Sequence, residues 1–184
     1  MIEEANDYYF PTVTGVYLKV TRTLITIATV FFTPLYLLFM QNEDWIPRVF
    51  EFIAVRDTVN IPLIFQFLIL ELSIDGLRLA AMNTPTMLST PLSVIAGIVM
   101  GEFSVQSGWF NSEVMLYMAF VAVANYTQPN FELGYALKFM RLLLLILTAC
   151  FNLYGFIIGC ILILCFLVFN KTLSGRNYMN VKMN

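Results

Sequence analysis

Apolar and polar positions alternate along the 184-residue chain in long blocks rather than in a two-residue or amphipathic rhythm. The first apolar run is Val20 to Met40, broken only by small hydroxyls and Arg22, with Pro34 inside it as an expected kink. At about 1.5 Å per residue, such a helix crosses a hydrocarbon layer of roughly 30 Å. The second run is Ile61 to Met82, with Pro62 suited to its first turn and Asn83, Thr84, Pro85 and Thr86 ending it. A third run, Leu88 to Val105, and a fourth, Glu113 to Tyr126, are short and are separated by a Gln106–Ser112 turn carrying Trp109. The fifth extends from Leu133 to Phe151 and the sixth from Phe156 to Phe169, with Asn152 to Gly155 predicted as a tight turn. Between the first two runs lies an acidic stretch, Gln41 to Asn60, where Pro47 opens a short interfacial helix bearing Val49, Phe50 and Ile53.

This pattern predicts an all-α fold, a polytopic transmembrane helical bundle of about six membrane helices. The alternative keeps four crossings and makes the third and fourth runs a re-entrant hairpin, which leaves the orientation unchanged. The expected organisation is a short cytoplasmic segment over 1–19, a helical membrane domain over 20–170 and a basic cytoplasmic tail over 171–184. With both termini cytoplasmic, Lys19, Arg22, Arg78, Lys138, Arg141, Lys171, Arg176 and Lys182 fall at or near the inner side, while Trp45 and Trp109 fall at the outer interface. Tyr8, Tyr9, Phe10 and Tyr17 suit a headgroup layer.

Composition narrows the chemistry. Hydrophobic residues are 59% of the chain and charged residues 12%, about half the share a water-facing surface carries. With a net charge of −2 there is no basic face for nucleic acid. The chain has no histidine, which removes histidine-based catalytic sets, metal sites and proton shuttles. Cys150, Cys160 and Cys165 sit in apolar runs without metal or redox spacing. The expectation is a non-enzyme with no catalytic residues, no cofactor and no metal. The lipid bilayer is its first partner.

The few ionised groups within the runs then carry the information. Glu71, Asp75 and Arg78 are spaced i, i+4 and i+7 and share one face of the second helix. A charge at membrane depth costs about 3 kcal/mol or much more, so this stripe is either an ion-pair lock between helices or the wall of a hydrated path. Asp75 can pair with Arg78, which leaves Glu71 in excess. Glu102, with Gln106 one turn on, is a candidate cation-attracting carboxylate; repeated in a homo-oligomer it would form an acidic ring. Asn125 extends the candidate ion pathway. Gly97 and Gly101 form a GxxxG that permits close helix packing, and Pro129 breaks the chain between the fourth and fifth helices.

Together these landmarks resemble a known family. They are Asn60-Ile61-Pro62, Glu71 through Ala81, Thr84-Pro85-Thr86, Gly101-Glu102, Val105 to Gly108, Glu113 with Tyr117, Pro129, Glu132-Leu133-Gly134, Arg141, and Tyr154-Gly155 with Gly159. In order and spacing they resemble the membrane domain of the GerA-type spore germination proteins, the A-subunit family, from about Asp7 to Tyr178. The resemblance implies residence in the inner membrane of bacterial endospores. It also implies assembly into channels that release monovalent cations early in germination, and work alongside companion germination membrane proteins. Family members carry a sizeable cytoplasmic domain before the first span, whereas about sixteen residues precede it here. The chain is therefore expected to be either a fragment lacking that domain or a minimal member.

Overall fold

The computed structural model describes residues 12–53, 59, 61–83, 86–128 and 131–169. Among them every regular element is helical and no strand occurs. Five helices carry the fold: α1 (Thr12–Gln41), α2 (Leu63–Asn83), α3 (Thr86–Gly97), α4 (Ser112–Tyr126) and α5 (Phe131–Phe169). The expectations resting on Tyr8, Tyr9, Phe10, Thr84, Pro85, Pro129 and the basic tail from Lys171 lie outside the described residues. The chain divides into two compact units, one made of Met1–Leu38 with Ala124–Asn184 and the other of Phe39–Val123.

The first unit is built from most of α1 and from α5. Helix α1 starts already at Thr12, earlier than the apolar run alone announces, and continues through Pro34. Helix α5 is not one rod. Asn152 sits at φ 52°, ψ −131°, the only non-glycine residue with positive φ among those described. In an unbroken helix Gly155 would stand about 12 Å along the axis from Leu147. Instead the Leu147 carbonyl occupies the place of a Gly155 Cβ, and the Leu144 side chain that of a Gly159 Cβ. The chain therefore doubles back, and the predicted tight turn is a real reversal. Its arms, 131–151 and 153–169, close on a shared core of Leu133, Leu137, Leu144 and Ile163 with Val30 of α1. Phe31 of α1 meets Phe156 edge to face at 6.4 Å between centroids. At this ψ the backbone lies outside the left-handed helical basin, in a region that residues with a side chain rarely adopt, so the surrounding packing has to hold the reversal. Glycine is required at 155 because no side chain fits against backbone.

The second unit follows the remaining prediction with one local departure. Six residues after Pro47, Arg48–Ile53, form a 3₁₀ helix, as the proline signal implies. Helix α2 covers nearly the expected span. The third run is not uniform: after α3 it becomes a π-helical segment, Ile98–Phe103, followed by one α turn, Ser104–Gln106. Gly108 at φ 70° then turns the chain, and the backbone N–H groups of Trp109 and Phe110 both reach the Ser104 carbonyl, at 3.0 and 3.3 Å.

Candidate functional site

The helices of both units bury polar side chains beside their apolar core and turn many large apolar side chains outward. On α1, Thr29 and Thr33 are 0% and 1% exposed, while Leu24 on the opposite face is 62% exposed. On α5, Lys138, Arg141 and Thr148 are buried and Phe139, Leu143 and Ile146 are exposed. On α2, Gln66 is 1% and Glu71 7% exposed against 74% for Leu72. Water would drive the opposite partition. A hydrocarbon surround would favour this one, because there the polar groups are the ones that must find protein. Two stretches, Val13–Gln41 and Glu132–Phe166, are long and apolar enough to cross a membrane, the second being folded back at Asn152.

In the first unit the inward groups are largely satisfied by their own helices. The hydroxyls of Thr26, Thr29 and Thr148 donate to the carbonyls of Arg22, Ile25 and Leu144, four residues earlier, at 2.7 to 2.8 Å. Gln128 Nε2 donates to Thr26 Oγ1 at 2.9 Å, tying the link between α4 and α5 to α1. Arg141 Nη1 donates to the Thr29 carbonyl at 3.2 Å, one residue before the carbonyl of Val30, which Pro34 deprives of its usual donor. The arginine thus stitches α5 to α1 where the α1 ladder is weakest. Asn125 Oδ1 lies over Gly134, where an added Cβ would approach it to 3.2 Å. The seam is tightly packed, and among its described side chains Asn125 Oδ1 and Gln128 Oε1 are buried without a hydrogen-bond partner.

The second unit holds most of the acidic groups. Of the chain's twelve carboxylates eight fall in it, against three of the ten cations. Glu71 belongs to the buried stripe Gln66, Phe67, Leu70, Glu71 of α2, and Asp75 and Arg78 follow it half-buried on the same helix. Gln66 acts as a clasp: its Oε1 accepts the Asn111 backbone N–H at 3.0 Å, and its Nε2 donates to the Ile61 carbonyl at 2.8 Å. It therefore joins the start of α4 to the start of α2. Replacing it, as Gln66→Leu, leaves a buried donor without its acceptor. A loss of about 1–3 kcal/mol is expected, read as a lower midpoint in thermal unfolding in detergent.

Glu102 and Gln106 are brought together by a side-chain bond of 3.2 Å, and both are exposed. Asn125 belongs to the other compact unit. Gly97 and Gly101 have nothing within 4 Å of where a Cβ would stand, so no close helix approach is made there by the described chain. Sequence reasoning overlooked Gln66, Asn111 and the inward threonines. The threonines had a readable signal, since Lys19, Arg22, Thr26, Thr29 and Thr33 recur at alternating steps of three and four. Gln66 and Asn111 had none, because their pairing spans forty-five positions.

The inverted polarity and the order of landmarks agree with the comparisons to known proteins. The family model for the Bacillus/Clostridium GerA spore germination protein matches residues 1–184, and the chain belongs to that family. It is similar to stage V sporulation protein AF of Bacillus subtilis (strain 168), 35% identical over 86% of this chain and 32% of that protein. It is also similar to spore germination protein GerQA of Bacillus cereus, 26% identical over 94% of this chain and 35% of the relative. A third relative, spore germination protein A1 of B. subtilis (strain 168), is 24% identical over 86% of this chain and 33% of its own length. The chain spans about a third of the length of the curated relatives it matches. No solved structure matches.

Proposed function

We propose that this chain is a membrane subunit of a spore germination complex, resident in the spore inner membrane with both termini cytoplasmic. In this reading it crosses the bilayer about six times and self-associates around a path for monovalent cations that contributes to or amplifies germination. Companion germination membrane proteins are its partners. The observation that carries the reading is Glu102. It is an exposed carboxylate among the exposed apolar side chains of Val94, Ile95, Ile98, Val99 and Phe103, with exposed Gln106 one turn on. Beside such neighbours an ionised group is stable only against water or other subunits, and one carboxylate per copy makes a cation-concentrating ring. The segregation of acids into the second unit supports a cation path there, since the seam of the first unit presents Lys138 and Arg141.

Two other readings make different demands. A proton-coupled transporter requires saturable, proton-dependent uptake, and a non-conducting scaffold requires silent membranes with stably co-purifying partners. The deciding experiment is cation flux from lipid vesicles containing the full chain. Glu102→Gln is expected to lower the flux about tenfold while leaving the oligomer size in detergent unchanged. Equal flux from both proteins removes Glu102 from the path.

A further inference from the structure

The π segment immediately precedes and includes the residue on which conduction is proposed to depend. A π turn holds one residue more than an α turn and is uncommon because its bonds are poorer. Here it extends over Ile98–Phe103 and lies between regular helix on both sides. A side-chain bond of matching reach supports it: Ser104 Oγ donates to the Val99 carbonyl, five residues back, at 3.0 Å. The two glycines have no packing partner within 4 Å. Their effect is to lower the preference of this stretch for regular helix, by about fivefold in equilibrium each relative to alanine.

The segment is held at both flanks, with a glycine turn between its downstream end and the anchor there. Upstream, α3 packs against α2. Downstream, Phe110 and Asn111 are buried, and Asn111 is bonded to Gln66. Between the short α turn and that anchor stands Gly108, with its positive φ, followed by exposed Trp109. Removing the extra residue from the wide turn shifts the phase of the downstream positions by about one residue, roughly 100° around the axis. The residues carried by that rotation are Glu102, Gln106 and Ser107.

We propose that the π segment is a swivel that regulates the ion path: in the π form Glu102 and Gln106 face the path, and conversion to regular helix turns them away. This rests on the reading of Glu102 as a cation-attracting group, and its test separates the two. Full-length protein in lipid vesicles, with Cys150, Cys160 and Cys165 replaced, carries spin labels at Ala81→Cys on α2 and Ser107→Cys beyond the swivel. A second pair, Ala81→Cys with Thr90→Cys, lies upstream as the control. The glycines face open space, so Gly97→Ala with Gly101→Ala is accommodated sterically; Ser104→Ala, which removes only the supporting bond, is the second variant.

The expected result is a change of about 5 Å or more in the 81–107 distance, none in the 81–90 distance, and a severalfold fall in cation flux. An unchanged 81–107 distance in both variants overturns the swivel whatever the flux. A changed distance with unchanged flux, where Glu102→Gln does lower flux, overturns the regulation and leaves the reading of Glu102 intact. The same result with Glu102→Gln silent removes both.

Discussion

Gly155→Ala is expected to destabilise the protein by about 3 kcal/mol or more, through one methyl group. The Leu147 carbonyl already occupies the position that methyl needs. A flexible side chain would move aside, but a helix backbone cannot move without disturbing the turn at Asn152 and the core formed by Leu144 and Ile163. The same substitution at Gly76 provides the contrast. Nothing lies within 4 Å of a Cβ there, and the position is interior to α2. Gly76→Ala is expected to be neutral or to stabilise by about 0.5–1 kcal/mol, because alanine loses less backbone entropy in a helix. Thermal unfolding of both variants in one detergent provides the comparison. Equal midpoints would mean that 131–169 does not fold back.

The second large effect is expected at Arg141. The residue is 3% exposed, and its guanidinium donates to the carbonyl of Thr29 in α1. Arg141→Ala removes a charge-assisted bond and abandons polar groups that packed around a cation, at a cost of about 3 kcal/mol. Arg141→Lys keeps the charge but not the planar fork, and is expected to recover only part of that loss. Because this bond lies beside the proline turn of α1, protease cleavage or hydrogen exchange around Thr29 to Thr33 should rise in Arg141→Ala. An unaltered exchange rate there would show that α1 does not need the stitch.

Much of the helical pattern was legible because hydrophobic length is a robust signal. Runs two and four end within a few residues of α2 and α4, and the turn at Asn152 was announced by an asparagine and a glycine between two apolar stretches. The start of α1 was missed since Thr12 to Lys19 mixes hydroxyls and aromatics; its side chains stay largely exposed, so the helix is continued outward from the apolar run rather than held by tertiary packing. The π segment was illegible for a different reason: no residue type encodes an extra residue per turn. The family resemblance was readable because many landmarks kept their order. At the candidate site, the stripe Glu71, Asp75, Arg78 and the pair Glu102–Gln106 followed from helical spacing alone. Spacing does not relate Asn125 to that pair, because proximity across the fold is not a property of spacing.

The reversal at Asn152 bears on how the chain enters a bilayer. The arm 131–151 brings Lys138 and Arg141 with it, each costing about 3 kcal/mol at mid-depth on insertion scales. The arm 153–169 carries no ionised side chain at all. Delivered together as one folded pin, the uncharged limb would offset the penalty of its neighbour, while α1, made earlier in the chain, supplies the Thr29 carbonyl that Arg141 bonds. Biogenesis would then proceed limb with limb rather than one span at a time.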